Sequence, residues 1–139
     1  MTKLENKYTA FDIALTRLKE AIDLYENQEN PVLLDGTIQR FEFCVELGWK
    51  TLKEYLEYEK IGEFNSPRGT IKECFRIRLI ENAEQWLDML DDRDLTSHTY
   101  DEEITKEIYR NIITKYYNIL INTRNKIKSV VENKKCGRK

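Results

Sequence analysis

Glycine and proline are scarce, with five and two respectively in a chain of 139 residues. An all-β sandwich needs a turn signal about every 8 to 12 residues and is excluded by that shortage. No glycine-rich phosphate loop of the Rossmann or P-loop kind is present. No apolar run approaches the roughly 18 residues of a membrane span, and the opening residues Met1-Thr-Lys-Leu-Glu-Asn-Lys7 lack the apolar stretch of a secretion signal. A cytoplasmic protein without membrane contact is expected. The three cysteines, Cys44, Cys74 and Cys136, form neither an even framework nor a C-x-x-C pair, so they read as buried thiols rather than disulfides or zinc ligands. Histidine occurs once, at His98, and Glu46, Glu54 and Glu57 have no histidines at matching spacing; neither a metal nor a cofactor is expected. An excess of one charge is lacking too. Acidic residues outnumber basic ones by 25 to 23, so any RNA contact has to come from a local cluster.

What the chain does have is 40% hydrophobic and 35% charged residues, the mixture of amphipathic helices, at a length that suits one domain. Leu4, Tyr8, Phe11, Leu15, Leu18, Ile22 and Tyr25 alternate at steps of four and three, the stripe of one helix face. That helix should stop between Asn27 and Asn30, ahead of Pro31. Leu34, Ile38, Phe41, Val45, Gly48, Leu52 and Tyr55 repeat the pattern, with Gly48 admitting a close neighbour at the seam. Phe43 and Leu47 fall on the opposite side, where the third helix or a second subunit has to cover them. Ser66-Pro67 reads as the N-cap and first residue of a short helix whose Ile71, Cys74 and Phe75 share a side. A fourth short helix carries Ala83, Trp86, Leu87 and Leu90 and ends in Asp91-Asp92-Arg93-Asp94.

Thr99 to Glu102 matches a capping box. Ile104, Ile108, Ile112, Tyr116, Leu120, Thr123, Ile127 and Val130 then carry the last helix, roughly 30 residues or ~45 Å long. The expected fold is all-α: an antiparallel up-and-down helical bundle of three long helices, with two short ones together forming the remaining wall. It occupies residues 1–132, and 133–139 form a basic, disordered tail.

The segment Arg93-Asp-Leu-Thr-Ser-His98-Thr-Tyr100 gathers an arginine, the sole histidine and a tyrosine beside a turn and a helix start. Amides at an open helix start attract an anion, and the dipole there favours a neutral imidazole that accepts a proton. Arg93 can bind a phosphate through two parallel hydrogen bonds, and an arginine beside a histidine suffices for RNA cleavage by its own 2′-hydroxyl without a metal. One histidine per chain cannot be both acid and base, so two copies would have to join across a symmetric interface. In the bland reading of the same residues, His98 helps cap a helix, Arg93 pairs with Asp91 or Asp101, and Tyr100 packs on the bundle. The other tyrosines mostly lie on helical stripes and read as core. Arg68, Lys72, Arg76 and Arg78 are four positive charges against the single Glu73. They form either a binding stripe for RNA, a nucleotide or a partner, or a solvated helix face.

Three blocks together resemble a known family: Gly36 through Lys53, Ser66-Pro-Arg68 with the helix after it, and Trp86 through Tyr100. The chain is similar over about 120 residues to the nucleotidyltransferase substrate-binding proteins, a branch of the HEPN superfamily. The last block resembles the HEPN ribonuclease signature followed by the tyrosine of HepT-like toxins. The resemblance implies a homodimeric HEPN-like bundle whose paired motifs line a cleft, and a minimal nucleotidyltransferase as partner and antitoxin. It implies Arg93 and His98 as the RNA-cleaving pair, supported by Asp94, Thr96 and Ser97, and Tyr100 as the site of silencing by AMP addition. Asp94 stands where asparagine is common. A non-catalytic subunit that presents substrate or nucleotide to the transferase is the second reading.

Overall fold

The computed structural model describes residues 2–98 and 101–136; Met1, Thr99, Tyr100 and 137–139 lie outside the description, as do the side chains of His98 and 134–136. Helix α1 (Lys3–Asn27) opens on a capping box in which Thr2 and Glu5 satisfy each other's free amides. Helix α2 (Pro31–Tyr58) opens on Asn30, whose side chain accepts from Val32 N–H, with proline at the first helical position. The two helices run antiparallel. Cys44 Sγ donates to the Ala14 carbonyl (3.2 Å), Arg40 to that of Arg17 (2.7 Å) and Thr51 to that of Lys7 (3.3 Å), so positions rise on one helix as they fall on the other.

Helix α3 (Pro67–Arg76) is capped by Ser66, as its sequence indicates. Its buried residues are Thr70, Ile71 and Cys74, whereas Phe75 is 51% exposed. The small side chains let the helix lie close on α2 and α4, and Phe75 falls past the edge of that strip. Helix α4 (Ala83–His98) packs on both α2 and α3. It runs on through the acidic stretch expected to end it, so Asp91 to His98 is helix rather than turn. Its apolar residues Trp86 and Met89 are fully buried. A Cβ on Gly48 would sit 3.0 Å from Trp86 and 3.3 Å from Phe11, so that glycine admits two rings rather than another backbone.

Helix α5 (Glu102–Asn111) passes without a break through a π-helical turn (Ile112–Tyr116) into α6 (Tyr117–Cys136). The N-cap is Asp101, which accepts from the Glu103 and Ile104 amides; the Thr99 capping box falls outside the described residues. The π turn answers a feature of the sequence. Ile104, Ile108, Ile112, Tyr116 and Leu120 are spaced by four, and each step of four turns an α-helix about 40° past a full revolution. A wider π turn absorbs one residue and brings Leu120, Thr123 and Ile127 back to the core. The helical backbone continues to Cys136, past residue 132 where the tail is expected.

Helices α1, α2, α4 and α5–α6 thus form an up-down-up-down bundle, with α3 packed against α2 and α4. Its centre is polar at one point: Trp86 Nε1 donates to Thr123 Oγ1 (3.0 Å), which donates to the Ile119 carbonyl (2.9 Å). No described helix is long and apolar enough to cross a membrane. Cys44 and Cys74 are buried free thiols; the Cys136 side chain lies outside the description.

Candidate functional site

Arg93, Thr96 and Ser97 lie one turn apart on α4, so they face the same flank of α2. The Thr96 and Ser97 hydroxyls donate back to the Arg93 carbonyl (2.8 and 3.2 Å), the bonding that serine and threonine adopt inside helices. Both also reach Glu42 on α2, Ser97 at 3.4 Å. One turn along α2, Glu46 Oε1 takes Arg93 Nη2 at 3.3 Å, and Asp94 approaches Nη1 at 3.6 Å. Arg93 keeps 31% of its side chain exposed, but its Nε is buried and makes no hydrogen bond. Arg93 pairs with neither residue of the bland reading. Asp91 takes Arg68, and Asp101 caps α5.

The adjoining residue ties this segment to the bundle. Asp92 accepts from Tyr116 Oη (2.6 Å) and Asn111 Nδ2 (3.2 Å), both on the other side of α4 in or beside the π turn. Tyr116 in turn stacks on Phe41 of α2, with ring centroids 5.7 Å apart. Burial, then the hydrogen bond to Asp92 and its charge, push the Tyr116 hydroxyl well above the usual phenol range. Arg93 is therefore presented from a helix gripped on two sides.

His98 closes α4. Five helical residues place it about 7.5 Å along the axis and about 140° around it from Arg93. The expected helix start beside His98 is a helix end, where the dipole has the opposite sign. The true start, at Asp101, has two of its amides occupied by its own cap and Glu102 and Glu103 in its first turn. Tyr100, the expected modification site, lies outside the described residues.

The basic residues are divided. Arg68 is bound to Asp91, two positions before Arg93. Arg76 pairs with Glu73 (Nε at 2.9 Å), while Lys72 and Arg78 are exposed and take part in no ion pair among the described residues. Arg76 and Arg78 border a hollow with Phe75, Ile80 and Glu81 ahead of α4. The length of α4, about 24 Å, lies between them and His98. Only Arg68 joins the motif.

Sequence reasoning passes over Glu42, Trp49 and Lys50 on α2 and weighs Glu46 only as a metal ligand. Lys50 Nζ lies 3.1 Å from Glu46 Oε2. The Trp49 indole N–H is beside the same carboxylate, yet it is buried and closes no hydrogen bond. Burial raises the Glu46 pKa, but the hydrogen bond and charge of Lys50, with the Arg93 charge, outweigh it and hold the carboxyl below the ordinary range. The signal available was the spacing of Glu42, Glu46 and Lys50, a charged row on the flank of an otherwise apolar helix.

Residues 6–129 match the family described as nucleotidyltransferase substrate binding protein like. The chain is 33% identical over 95 residues to the probable ribonuclease HepT of Haemophilus influenzae, a match covering 65% of this chain and 64% of that protein, so it spans a little under two thirds of that relative. A solved Thermus thermophilus protein is 34% identical with a TM-score of 0.76, over 84% of this chain and 98% of that one. A Haemophilus influenzae structure, described as revealing the fold of a substrate binding domain of a nucleotidyltransferase, is 25% identical with a TM-score of 0.75, over 87% of this chain and 98% of that one. At 16% identity, a tri-AMPylated Shewanella oneidensis HEPN toxin in complex with MNT antitoxin has the same fold, with a TM-score of 0.76 over 93% of this chain and 99% of that one. With nearly the whole bundle inside the matched span, this chain belongs to the nucleotidyltransferase substrate binding protein-like family.

Proposed function

We propose that this chain is the HEPN-type partner of a minimal nucleotidyltransferase, and that it is a metal-independent RNA-cleaving toxin silenced by AMP addition at Tyr100. The observation that carries the proposal is Arg93, a guanidinium kept partly exposed on a rigid seam between α2 and α4, with His98 and Tyr100 the next reactive side chains along the chain. Two copies face each other. In one, His98 takes the proton of a ribose 2′-hydroxyl as that oxygen attacks phosphorus. His98 of the other, in its protonated imidazolium form, gives its proton to the departing 5′-oxygen, leaving a 2′,3′-cyclic phosphate and a 5′-hydroxyl. Arg93 stabilises the charge that builds on the phosphorane; Asp94 and the Thr96 and Ser97 hydroxyls orient the segment. Phe43 and Ile13, exposed apolar side chains on neighbouring helices, offer a second copy an apolar surface to cover.

Purified protein incubated with mixed tRNA in EDTA tests this. Cleavage that disappears in both Arg93→Ala and His98→Ala supports the toxin; inert wild-type protein overturns it. With the transferase and ATP, wild-type protein should gain the mass of AMP and Tyr100→Phe should not. The second reading, a non-catalytic subunit that binds substrate or nucleotide for the transferase, is favoured by the two carboxylates crowding Arg93. It predicts inert protein that still binds the transferase, with Arg68, Lys72, Arg76 and Arg78 as contacts.

A further inference from the structure

Around Glu46 the donors outnumber the acceptors. Arg93 Nη2 and Lys50 Nζ engage its two oxygens at 3.3 and 3.1 Å, while two buried donors nearby, Arg93 Nε and Trp49 Nε1, have no partner. Trp49 is only 8% exposed. A buried donor left unpaired is costly, and here the acceptor that would satisfy it is the Glu46 carboxylate beside it, one turn back on the same helix. That carboxylate is on Arg93 as observed, and a turn of its side chain toward Trp49 with Lys50 retained is the alternative. The guanidinium is paired with Glu46 in the first and left with Asp94 alone in the second.

We infer that Glu46 is a latch on Arg93, which it holds in the absence of RNA and releases to an incoming phosphate by turning onto the Trp49 indole N–H. The inference rests on Arg93 being the phosphate-binding group proposed above. An RNA phosphate offers Arg93 two oxygens in the geometry of a carboxylate, so binding is an exchange of one anion for another and Trp49 gains the partner it lacks. Glu46 is here a positioning residue. It acts through Arg93, and its charge makes the site selective, because an anion that cannot match the carboxylate's pairing does not displace it.

The test uses a labelled 2′-O-methyl oligonucleotide, which lacks the attacking hydroxyl, followed by fluorescence anisotropy at low salt. Glu46→Gln keeps the shape and removes the charge; it should tighten binding about fivefold, the upper range for one partly exposed ion pair. Glu46→Asp should bind like the wild type, and Glu84→Gln, an exposed carboxylate elsewhere on α4, should change nothing. A second readout is independent of any variant. On addition of the oligonucleotide, the Trp49 indole proton should move downfield in the NMR spectrum while that of Trp86, already bonded to Thr123, stays in place. Unchanged or weaker binding by a folded Glu46→Gln, equal tightening by Glu84→Gln, or a static Trp49 signal overturns the latch. If Arg93→Ala binds like the wild type, the phosphate site itself fails and the latch with it; if it loses binding while Glu46→Gln gains none, only the latch falls.

Discussion

Tyr116 donates a 2.6 Å hydrogen bond to Asp92, and through it the π turn of the last helix is fastened to the helix that carries Arg93. Tyr116 is 2% exposed, so Tyr116→Phe keeps the ring stacked on Phe41 and removes only the hydroxyl. Among the described residues, Asp92 would retain a single donor, Asn111. We expect a loss of about 1–3 kcal/mol in urea unfolding, the cost of leaving a carboxylate short of a charge-assisted bond. Asp92→Asn should cost less, because an amide oxygen still accepts. If Tyr116→Phe leaves stability unchanged, the fastening is not one.

Gly48→Ala isolates packing from helix propensity. Alanine favours a helix interior over glycine by roughly 1 kcal/mol, so an unhindered site would be stabilised. Here the new methyl meets Trp86 at 3.0 Å and Phe11 at 3.3 Å. Trp86 cannot retreat without losing its bond to Thr123. Overpacking of this kind costs about 1–3 kcal/mol, so the net effect should be destabilising by about 1 kcal/mol in urea. A more stable variant would show that the Trp86 ring yields.

Both of those contacts involve residues whose burial was legible in the sequence. The stripes of α1 and α2 repeat at helical spacing, Pro31 marks the end of α1 and Pro67 the start of α3, because local periodicity and backbone chemistry suffice there. The course of α4 beyond Leu90 was not legible. Asp91 to Ser97 has no apolar period, and its helix is held by Glu42, Glu46, Asn111 and Tyr116, distant partners that no local pattern reveals. The same holds for the site: Arg93 and His98 stand out by type, but Glu46, the nearer of the two carboxylates that restrain Arg93, comes from another helix. Phe75 was misplaced because helical spacing gives a side without saying how wide the covered strip is.

The buried thiols give a pH dependence. Burial pushes Cys44 and Cys74 up from 9.0 to about 12, with the Glu73 charge adding to the effect at Cys74. Above pH ~9 the unfolded chain releases thiol protons that the folded chain keeps, so stability falls as pH rises from about 9 toward about 12. Each thiol should contribute a loss of up to ~1.4 kcal/mol between pH 8 and 10. Urea melts should show a flatter decline for Cys44→Ala, and peptide mapping after a thiol reagent should find Cys44 and Cys74 unlabelled in native protein at pH 8. Rapid labelling of either in the native state, or a slope unaffected by the substitution, contradicts the assignment.

Two helix ends use a side chain where glycine is the easy choice. Lys60 (φ 60°) and Arg78 (φ 64°) are left-handed residues just past α2 and α3. At each end the following amide reaches back a little over one turn, Ile61 to Leu56 and Leu79 to Cys74, both at 2.9 Å, the closing bonds of a Schellman motif. The left-handed conformation strains a residue that carries Cβ by roughly 1–2 kcal/mol, against roughly 0.5–1 kcal/mol for the extra freedom glycine loses on folding. Lys60→Gly and Arg78→Gly should therefore each stabilise by a few tenths to about 1 kcal/mol, and the two should add because the sites share no partner. The pair also separates stability from binding. Arg78 is one of the proposed contacts for RNA or a partner and Lys60 is not, so only Arg78→Gly should weaken oligonucleotide or transferase binding as it raises the melting temperature. Equal binding by both variants would remove Arg78 from the contact surface, and a lower melting temperature in either would refute the strain.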